Sequence, residues 1–265
     1  MLLDLHMHTD YSTDAESPQS VEDKVRACIR RGLGIIGITD HLDFYHRHDP
    51  TENRDVEACL CDICAAKQVF AQDIEVLRGI ELGQVHADPR ADEFLAAHEL
   101  DMVIGSLHVM PNDLDIYFHD FAHLNCDAFL QSYFDELLKV VRHGGFDVLA
   151  HIDYPLRVMK HGDYVPSFDQ YMDRVETVLR EVINRGYAFE LNAAGIASWQ
   201  KTVGPPQNIL YEYKRLGGER ISIGSDSHAL DTVGRGIEEC MANAHRVGFT
   251  AVTVFRSRRA EQVEI

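Results

Sequence analysis

Basic residues are scarce in this 265-residue chain: 25 Lys and Arg stand against 43 Asp and Glu, a formal charge of −18. Binding to nucleic-acid phosphates needs clustered Lys or Arg, and the only tight group is Arg256, Arg258 and Arg259 near the end. A nucleic-acid partner is therefore not expected. No run of roughly 18 or more apolar residues occurs, which argues against a membrane-spanning helix. The opening Met1-Leu2-Leu3-Asp4-Leu5-His6 lacks the charged-then-apolar layout of an export signal, so a cytoplasmic protein is expected. The six cysteines then read as free thiols rather than a disulfide framework. The cluster Cys59-x-Cys61-x-x-Cys64 has no second cysteine pair to complete a tetrahedral metal site, and reads as helix thiols. No Pro/Gly/Ser-rich linker, low-complexity tract or internal repeat divides the chain, which reads as one domain.

What the sequence does have is enough apolar material for a sizeable core, 45% of residues, and 15 histidines. Most of the acid reads as a solvated surface. Short apolar, β-branched runs at 2–6, 35–39, 75–81, 102–107, 147–151, 187–192, 220–225 and 250–255 alternate with amphipathic stretches. Ser20 ahead of Val21-Glu22-Asp23 is a helix cap; Gly32, Gly144-Gly145, Gly186 and Gly217-Gly218 are helix stops. Repeated strand-then-helix order means parallel strands joined by crossovers, in a doubly wound sheet or a β/α barrel. The irregular patches at 42–54, 84–90, 110–124, 153–168 and 193–206 each follow a strand at its C-terminal end, where a barrel carries its chemistry.

Ligand-type residues fall at those same ends. The first run leads into His6-Met7-His8, whose imidazoles, two apart in extended chain, share a face and can close on one ion. The following six runs end in Thr39-Asp40-His41, Glu81, His108, His151-Ile152-Asp153, Glu190-Leu191-Asn192 and Asp226-Ser227-His228. A buried, unpaired Asp226 would be costly, and a cation beside it, Ser225 and His228 is the cheaper arrangement. Together these residues predict a polynuclear metal centre.

At this point the chain resembles a known family. His6-x-His8, Thr39-Asp40-His41, Glu81, His108, His151 and Asp226-x-His228 are similar to the motifs of the polymerase-and-histidinol-phosphatase (PHP) superfamily, in their usual order and over essentially the whole chain. The lead-in Asp4-Leu5-His6-Met7-His8-Thr9, the following Tyr11-Ser12 and the Glu190-Leu191-Asn192 end are most similar to its monofunctional histidinol-phosphate phosphatases. The resemblance implies a distorted (β/α)7 barrel, with the run at 250–255 outside or beside it, and three divalent ions, zinc, iron or manganese. It implies one ion on His6, His8, Glu81 and Asp226, a second on Glu81, His108 and His151, and a third on His41 and His228, with Asp14 where some relatives place a further His. Glu81 would bridge, and turnover would depend on Glu81, His151, Asp226 and His228. Asn192, Asp40 and Asp153 are expected behind the ligands or facing the substrate.

The activity implied is metal-dependent hydrolysis of L-histidinol phosphate to L-histidinol and phosphate. Phosphomonoester hydrolysis is very slow uncatalysed, and clustered divalent ions answer it by activating water and clamping phosphate oxygens. Mixed His and carboxylate ligands suit zinc, iron or manganese better than calcium. For the phosphate itself, Arg157 and Lys160 are the leading cations, because relatives carry an Arg a few residues past the His of the 147–151 strand. Relatives often place a second Arg after the 187–192 strand; here only Lys201 offers a cation. The alternatives are a phosphatase or phosphodiesterase of the same family acting on another small phosphoester, such as a nucleotide or sugar phosphate, and a non-catalytic metal-binding module. The remaining histidines lack strand-end placement; of these, His46, His48, His86, His119, His123 and His161 lie in loops of the expected active face, where one or two could touch substrate.

Overall fold

The computed structural model describes residues 1–16, 18–44, 55–111 and 114–265. Ten strands and eight α-helices occur among them: β1 Leu2–Asp4, α1 Val21–Arg30, β2 Leu33–Ile38, β3 His41–Asp43, α2 Val56–Val69, β4 Glu75–Gly83, α3 Arg90–Ala97, β5 Met102–Ser106, α4 Cys126–His143, β6 Val148–Leu149, α5 Tyr154–Val158, α6 Met172–Arg185, β7 Ala188–Asn192, α7 Gln207–Arg215, β8 Ile221–Gly224, α8 Ile237–Val247, β9 Ala251–Arg256 and β10 Arg259–Glu264.

The expected parallel order is present. The sheet runs β1-β2-β4-β5-β6-β7-β8, each neighbour parallel, and β3 continues β2 along β4. The chain beyond β1 closes the ring on β8: Leu5 N–H donates to Ile223 O (2.9 Å), Asp226 N–H to His6 O (2.8 Å) and His8 N–H to Ser227 O (3.0 Å). This is a seven-stranded, distorted β/α barrel. The strand alternation of two sorts its first segment: Leu3, Leu5 and Met7 are one set and Asp4, His6 and His8 the other, all fully buried. Met7 meets Cys28 of α1 at 3.8 Å, so the apolar set faces the helices and the polar set the barrel interior.

The local signals work as expected. Ser20 caps α1 in a capping box with Asp23, and Gly144 and Gly186, both at positive φ, end α4 and α6. Cys59, Cys61 and Cys64 lie on α2 as free thiols. No helix among the described residues is long and apolar enough to cross a membrane.

Some boundaries differ from the sequence reading. The 147–151 strand is only Val148–Leu149, so His151 stands just past a strand end. The patch at 42–54 begins with two residues of β3, while the expected site candidates His46 and His48 lie outside the described residues. The run at 250–255 is β9, off the barrel as expected, in an antiparallel hairpin with β10 that the sequence reading did not include. Its turn grips the N-terminal ends of the barrel strands: Ser257 N–H donates to Asp101 Oδ1 (3.2 Å), Arg256 pairs with Glu75, and the Arg258 guanidinium binds the buried Asp147. Arg258→Ala removes a charged hydrogen bond from Asp147 and should lower stability in urea by about 2 kcal/mol. Metal affinity should stay unchanged, because the turn lies at the opposite end from the site described next.

Candidate metal centre

Six imidazoles and two carboxylates converge at the C-terminal ends of the strands. Glu81, near the end of β4 and fully buried, lies in the middle: its Oε2 is 3.1 Å from His6 Nε2, 3.5 Å from His8 Nε2 and 2.9 Å from His41 Nδ1. Its Oε1 is 3.2 Å from His108 Nε2 and 3.0 Å from His151 Nε2. Asp226 Oδ1 is 3.2 Å from His8 Nε2 and 3.7 Å from both His6 Nε2 and His228 Nδ1. Asp14, half exposed, reaches His228 Nε2 at 3.0 Å and His41 Nε2 at 3.5 Å.

Behind these groups lies a layer of partners that fixes which nitrogen each ring turns inward. His6 Nδ1 is 2.6 Å from Glu190 Oε1, and Glu190 also accepts from the His151 backbone N–H (2.8 Å) and from Asn192 (3.1 Å). This approach requires a glycine on the neighbouring strand, since a Cβ at Gly224 would lie 2.3 Å from His6 Cβ and 2.9 Å from Glu190 Oε1. His8 Nδ1 meets Ser12 Oγ (3.1 Å), and Ser12 donates to Asp40 (2.7 Å). Asp40 also receives Thr9 N–H, Thr9 Oγ1 and Cys59 Sγ, so it ties down the loop after β1. Asp43 Oδ1 is 3.4 Å from His108 Nδ1. Carboxylate and hydroxyl partners of this kind orient metal-ligating histidines.

The electrostatics of the cluster are coupled. Burial alone would strip the proton from His6, but Glu190, Glu81 and Asp226 outweigh it and hold His6 well above the ordinary histidine value. Burial and then the neighbouring His228 and His41 push His8 well below. Burial opposes the charges of Glu81 and Asp226, yet the surrounding imidazoles keep both well below the usual carboxylate range. Burial likewise opposes a charged His108, but Glu81 and Asp43 raise it to about 10. Two buried carboxylates thus persist here only against positive charge, which imidazolium protons or cations can supply.

Cations fit the donor set. His6 Nε2, His8 Nε2, His41 Nδ1 and Glu81 Oε2 are buried and crowd one another, yet none is aligned for a hydrogen bond, although such atoms ordinarily make one. Four trios bring ligand atoms within 4.8 Å of one another: His6, His8 and Glu81; His41, Glu81 and His108; His8, His41 and His228; His6, His151 and Asp226. The trios overlap, and His41 lies closer to Glu81 (2.9 Å) than to Asp14 or His228 (3.5 Å each).

The cations expected for phosphate divide. Arg157, on α5, is buried against the cluster: Nη1 donates to Asp226 Oδ2 (3.3 Å), Nη2 to Asn192 Oδ1 (2.9 Å), and Nε lies 3.7 Å from Asp153 Oδ2. Asp153 and Asn192 therefore hold Arg157. The ammonium of Lys160, an exposed residue, sits 5.2 Å over the Trp199 ring, and exposed Lys201 turns Nζ to Ala197 O (3.4 Å); neither is drawn into the cluster. Among the other loop histidines, His86 pairs with Glu136, His123 with Asp120, His161 with Met159 O, and His119 lies against Phe121 and Phe129. Glu190 and Asp43, which sequence pattern does not mark as functional, are brought behind His6 and His108 by the fold. The available signal for Glu190 was its place two residues before Asn192 on a buried strand, hence on the same face.

Fold and site together define a β/α barrel with a histidine–carboxylate cluster able to hold several metal ions at the C-terminal ends of its strands. The family model of the PHP domain matches residues 4–194, and the chain belongs to that family. A relative from Clostridium acetobutylicum, named "Probable histidinol-phosphatase", is 28% identical over 95% of this chain and 96% of its own length. The histidinol-phosphatase of Lactococcus lactis subsp. lactis is 24% identical over 98% of this chain and 96% of its own. A crystal structure of the L. lactis histidinol phosphate phosphatase, with zinc, L-histidinol and phosphate bound, has the same fold: TM-score 0.85 over 98% of both chains at 23% identity.

Glu190→Gln keeps the shape and removes the charge behind His6. It should weaken binding of a divalent metal probe such as zinc by about 10- to 100-fold, as loss of such outer partners does, read by competition with a chromophoric chelator.

Proposed function

We propose that the protein is a metal-dependent phosphomonoesterase that hydrolyses L-histidinol phosphate to L-histidinol and inorganic phosphate. The observation that carries this reading is the set of buried, hydrogen-bond-free donor atoms converging on Glu81. The full-length likeness to histidinol-phosphatases supports the choice of substrate.

His6, His8, His41, Glu81, His108, His151, Asp226 and His228 would hold the ions, three in number, with Asp14 completing the set on the His41 and His228 side. Zinc suits these ligands, as do iron and manganese. Such ions supply an activated water at neutral pH and neutralise charge on the phosphoryl group. Glu81 would serve more than one ion, because its two oxygens face different imidazoles. Glu190, Ser12 and Asp43 fix the ring orientations before substrate arrives, so that no reorganisation is left for the reaction itself. Arg157 carries a buried positive charge beside Asp226, with Nε free of a hydrogen-bond partner and two terminal N–H groups beyond those bound to Asp226 and Asn192. It would hold a phosphoryl oxygen, with Asp153 and Asn192 fixing its position.

A second reading keeps the chemistry and changes the ester. It is favoured by the loop after β7, where Lys201 turns to a backbone carbonyl and no second arginine faces the cluster. Comparison of kcat/KM across histidinol phosphate, nucleoside monophosphates and sugar phosphates separates the two, and histidinol phosphate should lead by at least about tenfold, the preference a modest 1.4 kcal/mol would give.

Chelator treatment should abolish phosphate release, and added zinc, manganese or iron should restore it. His151→Ala should lower kcat/KM by more than about 100-fold, beyond the loss of an outer partner; full activity in that variant would sink the assignment. Arg157→Ala should cost roughly 100- to 1,000-fold in kcat, the scale of one preorganised donor at a developing charge, with the metal content unchanged.

A further inference from the structure

The turn that carries Asp226 and His228 is gripped from the α1 side by a buried lysine. Lys24 is fully buried on the inner face of α1 beside Val21, Val25 and Cys28. An apolar residue would fill this position more cheaply, because a buried ammonium must be compensated. The compensation is specific: Lys24 Nζ donates to Ser227 O (3.1 Å), Ser227 Oγ (3.3 Å) and Ala229 O (3.3 Å), all neutral oxygens of one loop. An ammonium has three donors and suits three converging acceptors. Burial draws its pKa down to about 8, which leaves it largely charged at neutral pH.

A second donor from the same segment extends the grip. Gln19, also fully buried, donates Nε2 to His228 O, which accepts the Glu16 N–H as well (3.1 Å). The carbonyls of 227, 228 and 229 are thus each held by a donor from residues 16–24. Ser227 O also accepts the His8 N–H, so Lys24 sits on the seam where the first strand meets the last. The turn needs such restraint: Asp226 has φ +55°, a left-handed conformation that non-glycine residues keep only when the surroundings impose it.

We propose that Lys24, seconded by Gln19, is a positioning residue for the metal centre, fixing the 227–229 carbonyls so that Asp226 and His228 stay aimed at the ions beside His8. The inference rests on reading the cluster as a metal centre. Lys24→Met fills the volume without donors, and Lys24→Gln keeps part of the donor set without the charge. Zinc affinity, by chelator competition, and the absorption spectrum of the cobalt-substituted protein are measured together with the melting temperature of the metal-free protein.

The expected result is a 10- to 100-fold weaker affinity for at least one ion in Lys24→Met, an altered cobalt spectrum, kcat that recovers as free metal is raised, and intermediate values for Lys24→Gln. Wild-type affinity and spectrum in both variants, with only a lower melting temperature, would overturn the proposal while leaving the centre intact. A wild-type protein that takes up no metal overturns the reading of the centre and the proposal with it. Should Lys24→Met not fold, Lys24→Gln and Gln19→Leu carry the same test, with unchanged metal affinity in both again the contrary result.

Discussion

Glu81 lies within 3.5 Å of five imidazoles, those of His6, His8, His41, His108 and His151, and is fully buried. A carboxylate so placed is tolerable only beside positive charge, and the rest of the site can be read as the means of keeping that charge in place. Each histidine comes from a different strand end, apart from the His6 and His8 pair, so the barrel must close before the cluster exists. The seam between the first and last strands is then a functional joint as well as a structural one, since His6 and His8 sit on one side of it and Asp226 and His228 on the other.

The surrounding polar layer does more than satisfy buried groups. An imidazole offers two nitrogens, and a ligand is useful only if the correct one faces inward. Glu190 decides this for His6, Ser12 with Asp40 for His8, and Asp43 for His108. The same layer reaches the phosphate side, because Asn192 touches both Glu190 and Asp226 while its oxygen receives Arg157. The groups that orient the ligands and the arginine proposed to meet the anion therefore share one hydrogen-bonded network, in which the effects of single changes are not additive.

The acidity of the chain, −18 overall, has little to do with this site. Glu81, Asp226, Asp14, Glu190, Asp40, Asp43 and Asp153 are a small part of 43 acids; among the described others, Asp4, Asp101, Glu136 and Asp147 are buried away from the site. Among the described residues Arg157 is the arginine buried against the cluster, where it would meet a small ester.

The sequence by itself determined a parallel strand-then-helix order and which ligand-type residues stand at the strand ends, because both are written in local periodicity, while the choice of a barrel over a doubly wound sheet came from the family resemblance. Alternation of two puts His6 and His8 on one face, and repeated strand-then-helix order puts His41, Glu81, His108, His151 and Asp226 at the same end. It also placed Cys59, Cys61 and Cys64 on one helix. Tertiary structure decided what local pattern does not encode: Glu190 orients His6 across 184 residues of chain and Lys24 holds Ser227 across 203. It also separated Arg157, drawn inward by Asp153, Asn192 and Asp226, from Lys160 and Lys201, which stay at the surface. Such pairings depend on which side chains the closed barrel brings within hydrogen-bond reach, and that distance has no counterpart in sequence spacing.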